Sequence, residues 1–281
     1  MNSVNGRTYD MPLKGKRILI TGAGSGIGRA LAIDASRRGA HVCICGRRKD
    51  KLDETMRLLP GSQHLQLTAD VTINTDRIGI EELLLRRWNG VDILVNNAGL
   101  ILSGPLELTD PAQIEALVVT NVIAPILLTR QLIPLLKEGT LPRIVNIGSM
   151  FGEIPFPRFA TYSTSKAAMK GFSVALRREL RGIGIAVTYA APRATDTDGA
   201  AVALDAAAGS KLDAPERVAT QIWDAVDLDK DVVYPSASER LFLLIQSIAP
   251  RVIDRAVARP PRQSSISHEK QTRKEAVHVQ N

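Results

Sequence analysis

The sequence predicts an α/β protein: a doubly wound parallel sheet in a single domain, with a helical C-terminal extension. Three observations support this. Apolar runs of strand length alternate with helix-period stretches six or seven times along the chain; such alternation builds βαβ units whose right-handed crossovers place helices on both faces of a parallel sheet. The first strand–helix junction is a glycine-rich run, TGAGSGIG at 21–28. The chain of 281 residues is 44% hydrophobic and 23% charged, which excludes wholesale disorder, and only 4% aromatic, which leaves an aliphatic core.

Each element has its own signal. Lys16–Thr21 is a short apolar run and predicts the first strand. Over Ser25–Arg38, Ile27, Ala30, Leu31 and Ala35 follow a 3.6-residue period, and Gly39 ends the helix. His41–Cys45 is apolar again, and Lys49–Leu59 reads as a helix closed by Pro60-Gly61. A strand at Gln63–Leu67, a helix at Thr72–Trp88 and a strand at Val91–Val95 follow. Asp110-Pro111 opens a long helix to about Lys137. Arg143–Ile147 is a strand, Ala160–Leu180 a helix and Ile185–Ala190 a strand. Asp213 reads as a cap, with Pro215 in the first turn of a helix reaching Val226. Val232–Tyr234 is the last short strand. This places one catalytic-domain unit at 14–235, a helical extension at 236–259, and polar, aperiodic tails at 1–13 and 260–281, expected to be mobile.

Charge and cysteine usage narrow the function. The net charge is +7, but the stretch from Ser247 carries seven basic against three acidic residues, so the body is nearly balanced. That argues against nucleic-acid binding, which needs a basic face interleaved with stacking aromatics. Cys43 and Cys45 exclude a disulfide framework; they read as two small core residues on one strand face, with a reactive pair as the alternative. No apolar stretch is expected to span a membrane, no secretory signal opens the chain, and a cytoplasmic location is the expectation. No metal-ligand set is expected.

A glycine-rich turn at a first βα junction admits a pyrophosphate, with the helix N-terminus facing the anion. Gly22, Gly24, Ser25, Gly26, Ile27 and Gly28 are the candidates. The end of the second strand selects the dinucleotide: an acid there would bind the ribose 2′-hydroxyl, whereas arginine accommodates a 2′-phosphate. No acid lies between His41 and Lys49, while Arg47 and Arg48 stand together at a helix start, where two cations oppose the dipole unless a phosphate is bound. NADP(H) is therefore the expected cofactor. Arg47 is its main contact, with Arg48 or Ser25 assisting, and the Asp70 side chain and Val71 backbone can meet the adenine edge.

TGAGSGIG at 21–28, NNAG at Asn96–Gly99, Ser149 and Tyr162-Ser-Thr-Ser-Lys166 together make the chain resemble the short-chain dehydrogenase/reductase superfamily, from about Gly15 to Tyr234. The resemblance implies a Rossmann-type fold and hydride transfer between nicotinamide and a carbonyl or secondary alcohol. It also implies a catalytic set of Asn121, Ser149, Tyr162 and Lys166. The residue types suit that chemistry. Tyr162 and Lys166 stand one turn apart on one helix face, so the ammonium, with an oxidised nicotinamide, is expected to lower the phenol's pKa. Tyr162 then exchanges the proton, Ser149 holds the substrate oxygen, and Lys166 holds the nicotinamide ribose as well. In the family the residue matching Asn121 supports a water-linked proton relay through the lysine, and the segment matching Asn97, Ala98 and Gly99 lines the adenosine ribose. Pro192 and Thr197 match a family segment that holds the carboxamide, but Arg193 replaces its glycine and Thr195 its valine. Arg193 is then free to face the substrate or the cofactor phosphates. A non-catalytic NADP-binding sensor or scaffold is the alternative, though it would not need the catalytic set.

Three segments should wall the substrate pocket: 101–105, 150–159 and 196–212. The second brings Phe151, Phe156 and Phe159 near the catalytic residues, which suits an apolar carbonyl or alcohol, or equally the packing of a long loop. The third is rich in small residues and reads as a mobile lid. In the C-terminal extension Arg251, Arg255 and Arg259 recur every fourth residue. A flap over the pocket, a subunit contact and a peripheral membrane contact on anionic lipid all remain open for it. A homodimer or homotetramer is expected, paired through 110–137 and 160–180, where Ala167, Ala168, Gly171 and Ala175 allow close helix contact.

Overall fold

The computed structural model describes residues 13–197, 212–257 and 278–280. The lid segment expected at 199–210 and Arg259 lie outside the described residues.

Seven parallel strands form the sheet: β1 (Arg17–Thr21), β2 (His41–Gly46), β3 (Leu65–Thr68), β4 (Ile93–Asn96), β6 (Arg143–Ile147), β7 (Ala186–Ala190) and β8 (Val232–Val233), in the order β3-β2-β1-β4-β6-β7-β8. Between them run α1 (Gly26–Arg37), α2 (Lys49–Leu58), α3 (Asn74–Trp88), α4 (Pro111–Val118), α5 (Ala124–Lys137), α6 (Met150–Glu153), α7 (Ala160–Leu180) and α8 (Pro215–Asp227). The extension folds as α9 (Ala237–Ile248) and α10 (Pro250–Val257). The predicted doubly wound α/β class is the observed one.

Strand alternation divides the core. In β1, Ile18 and Ile20 join the core on one face and Leu19 the other; in β2, Val42 and Ile44 lie opposite Cys43 and Cys45. One core is closed by α1 and α8, where buried Trp223 donates its indole N–H to the Leu31 carbonyl at 3.0 Å. The other is closed by α3, α5 and α7 through Leu84, Leu132 and Leu176. The two cysteines are wholly buried. Burial pushes both thiols up, Cys45 to about 12, which makes them inert packing residues.

Several expectations need correcting. The tail expected at 1–13 does not reach Leu13, which is fully buried in the core of α1 and β2. The tail expected at 260–281 includes a strand, β9 (His278–Gln280), antiparallel to a strand absent from the sequence reading, β5 (Gly99–Ile101). The long helix at 110–137 is interrupted by a π turn at Val119–Ile123. By length and composition Pro111–Lys137 is apolar enough to cross a membrane, contrary to expectation, because Ile, Leu and Val crowd it; here it covers the sheet, with Leu117, Leu128, Leu132 and Leu136 buried. Asp213 does not cap α8. Ala214 holds that position, and the Asp213 carboxylate is drawn instead to Arg193.

Candidate active site

The chain leaves β1 towards β2 and β3, then crosses back to β4, so a crevice opens at the carboxyl ends of β1 and β4, where ligands of such sheets bind. The glycine-rich turn lies on this edge. Gly22 has φ +65°, and a Cβ there would meet the Ala98 Cα at 2.8 Å; a Cβ on Gly28 would lie 2.2 Å from the Gly22 carbonyl oxygen. Only glycine permits this turn and this approach. Gly26, at φ +53°, faces the Thr197 side chain, so Thr197 stands over the cradle. Ser25 occupies the N-cap position of α1, with Gly24 in the turn and Ile27 buried beneath.

Neighbours that sequence reasoning missed brace the turn. Arg29 donates to the Gly24 carbonyl at 2.5 Å and pairs with Glu54 at 2.9 Å, and the Thr55 hydroxyl donates to the Ala23 carbonyl at 3.0 Å. The Thr21 hydroxyl accepts from the Asn97 and Ala98 amides, while the Asn97 side chain donates to the carbonyls of Thr21 and Gly22. The only local hint was a polar Thr21 ending an apolar strand. A cavity of about 500 Å³ opens beside the turn, lined by Ser25, Gly26, Arg29, Lys51, Asp196 and Thr197 among others; it lies at the cradle, away from Tyr162.

At the end of β2, Arg48 donates to the Ser25 hydroxyl at 3.0 Å, and Arg47 lies 3.8 Å from the Asp70 carboxylate. Arg48 therefore reaches the cradle, while Arg47 is drawn towards the acid beyond β3. The Asp70 carboxylate also accepts from the Thr72 amide and hydroxyl, which fixes the turn holding Val71.

The four residues Asn121, Ser149, Tyr162 and Lys166 converge on the same edge, near β5. Asn121 is buried in the π turn. Its side chain accepts from the Leu100 amide at 2.7 Å and donates to the Leu100 carbonyl at 2.9 Å and to the Ser165 hydroxyl at 3.0 Å. Its side chain thus ties β5 to α7. Lys166 Nζ donates to the Ile147 carbonyl at 3.0 Å and lies 5.8 Å from the Tyr162 ring centre; a Cβ on Gly99 would come within 3.6 Å of it. Ser149 caps α6, its hydroxyl accepting from the Phe151 amide at 3.1 Å.

Electrostatics depart from expectation. Burial pushes the Tyr162 phenol up to about 12, against a smaller downward pull from the Ser149 hydroxyl. Burial also pulls Lys166 down to about 8. Desolvation is the dominant influence on both groups. Arg193 is taken up by acids of its own chain: it makes a bidentate pair with Asp213 at 3.0 and 2.9 Å and reaches Glu239 at 3.0 Å. Pro192 lies just ahead of it, its carbonyl accepting from the Met150 amide. Phe151 stacks on Phe156 and meets Phe159 and Tyr162 edge-on; Phe159 is core, while Phe151 and Phe156 are half-buried.

The sequence pattern of the family described as "short chain dehydrogenase" matches residues 16–207. The chain belongs to the short-chain dehydrogenase/reductase family. This family consists of oxidoreductases with a Rossmann-type nucleotide-binding fold. Among its relatives, a 3-ketodihydrosphingosine reductase of Bos taurus is 30% identical over 67% of this chain, which spans 59% of the relative's length. Dehydrogenase/reductase SDR family member 7B of Mus musculus is 30% identical over 88% of this chain and 81% of its own. Among solved structures, a 3-ketoacyl-(acyl-carrier-protein) reductase from Brucella melitensis, complexed with NADH, is 31% identical, with a TM-score of 0.73 over 79% of this chain and 96% of that one.

Proposed function

We propose that this short-chain dehydrogenase is an NADPH-dependent carbonyl reductase, working from a single catalytic domain at 14–235. The observation that carries the reading is the convergence, beside the glycine cradle, of buried Tyr162 with Ser149 and Lys166. The residues present fit NADP(H). The turn excludes any Cβ at Gly22 and Gly28, Arg48 reaches it from the end of β2, where Arg47 also stands and no acid does, and Thr197 stands over it. In this reading Gly24, Ser25, Gly26 and Ile27 complete the pyrophosphate site, Arg47 and Arg48 take the 2′-phosphate, Asp70 and Val71 face the adenine, Asn97, Ala98 and Gly99 line a ribose, and Pro192 and Thr197 hold the carboxamide. NADPH supplies the hydride when bound.

The rest is the work of this chain's side chains. In reduction Tyr162, protonated at neutral pH, donates its phenolic proton to the carbonyl oxygen as the hydride arrives. The Ser149 hydroxyl holds that oxygen in line. Lys166, cationic at neutral pH, stabilises the phenolate left behind and is itself oriented by the Ile147 carbonyl. Asn121 positions β5, and through it Gly99, against the lysine. The half-buried rings of Phe151 and Phe156 offer an apolar wall, and the two 3-keto reductases among the relatives support a ketone on an aliphatic chain as substrate. The exposed small face of α7, Ala167, Ala168, Gly171 and Ala175, supports pairing into a homodimer or homotetramer. The test is a panel of aliphatic and alicyclic ketones with NADPH. Tyr162→Phe should lose turnover at least a hundredfold and keep NADPH affinity; substantial turnover by that variant would overturn the mechanism.

A further inference from the structure

We infer that the α9–α10 hairpin docks on an anionic lipid surface. Several side chains of α9 reverse the usual polarity of a surface helix. On α9, Glu239 faces inward and is buried, and the Gln246 side-chain oxygen is buried without a partner among the described residues. Leu241, Phe242, Leu244 and Ile248 instead face outward, each more than half exposed, Ile248 at 73%. Leu241, Leu244 and Ile248 recur at i, i+3 and i+7 and share one face. The next helix adds Val252, also more than half exposed, beside them in the chain.

The roll of α9 is held from within. Glu239 accepts from Arg193, which is clamped in turn by the buried Asp213, and Glu239 also accepts from the Ser236 hydroxyl. Breaking that cluster would strand a buried charge, so the apolar face cannot rotate inward without cost. On the inner side, Ile253 of α10 with Leu243, Ile245 and Val257 packs against Met150, Ile154 and Phe156. Phe156 also belongs to the aromatic cluster around Tyr162, so the hairpin is seated beside the candidate site.

Charge identifies the occupant. Arg240, Arg251 and Arg255 are exposed on the hairpin, with Asp254 as the one exposed acid among its described residues. A second copy meeting this face across a two-fold axis would set arginines against arginines. Apolar side chains flanked by arginine suit an interfacial helix, its apolar face in the acyl boundary and its cations at anionic headgroups.

The experiment is co-sedimentation of the full chain with vesicles of phosphatidylcholine alone or mixed with phosphatidylglycerol. The wild type should bind the anionic vesicles at least tenfold more tightly than the neutral ones, and less tightly at high salt. Leu244→Glu with Ile248→Glu, and separately Arg251→Glu with Arg255→Glu, should each weaken binding at least tenfold and leave NADPH affinity unchanged. A second readout covers the case of a misfolded variant. Leu244→Cys carrying an environment-sensitive dye should shift to the blue on anionic vesicles, the two native thiols being buried. A wild type that stays unbound, variants that bind like it, or a dye that does not shift would overturn the inference. So would a fall in solution mass of the Leu244/Ile248 variant with no vesicle binding by the wild type, which would assign the face to a second copy. NADPH affinity is read independently, so failure here leaves the enzymatic reading standing.

Discussion

Replacing Lys166 by methionine should make the protein more stable while disabling the site. The lysine is wholly buried on α7, and burial lowers its pKa from 10.5 to about 8. That gap corresponds to about 3 kcal/mol by which the folded state disfavours the ammonium. Its hydrogen bond to the Ile147 carbonyl, worth about 1 kcal/mol, disappears in the variant. Methionine is close in volume and carries no charge, so a net gain of about 2 kcal/mol remains near neutral pH. The gain depends on pH in a defined way. Below about 8 the lysine is protonated in both folded and unfolded chains, and the penalty is complete. Between about 8 and 10.5 the folded site releases its proton while the unfolded chain keeps it, so wild-type stability rises with pH. Above that window the lysine is neutral in both states and the variant loses its advantage. Urea unfolding of both proteins, followed by circular dichroism at equal concentration and at about pH 7 and about pH 10, measures the difference. A variant less stable than wild type near neutrality, or a gain of equal size at both pH values, would refute the argument. NADPH-dependent turnover should fall in parallel.

Other substitutions test other parts of the molecule. Gly28→Ala places a Cβ 2.2 Å from the Gly22 carbonyl oxygen and should abolish cofactor binding by calorimetry while costing about 1–3 kcal/mol of stability in urea unfolding. The wild type should bind NADPH at least tenfold more tightly than NADH, a preference of about 1.4 kcal/mol, and Arg47→Ala with Arg48→Ala should erase it in fluorescence titrations. Ala168→Glu, on the exposed small face of α7, should lower the mass seen by light scattering towards the 30.4 kDa of one chain, whereas Leu58→Glu on α2 should not.

What the sequence determined by itself was local and periodic. The alternation of β1, α1, β2 and the elements that follow, the shared face of Cys43 and Cys45, and the glycine turn at 21–28 are all readable because each depends on neighbours within a turn or a strand. The family was legible for the same reason: four short motifs fall at strand ends in a fixed order. The tertiary structure decided whatever depends on partners distant in the chain. Arg193 read as free to meet a ligand because its partners, Asp213 and Glu239, lie 20 and 46 residues away. Asn121 marked a polar position in an apolar helix, but the π turn and the β5 backbone it holds have no periodic signature. Lys166 and Tyr162 could be paired by spacing, yet the direction of the phenol's shift followed from burial, which no spacing encodes. On α9 the helical extension was visible in the sequence; that several of its apolar residues face solvent is set by a buried glutamate drawn inward by an arginine from another loop. A side chain's type and period are written in the chain, but its solvation is fixed by what the fold brings against it.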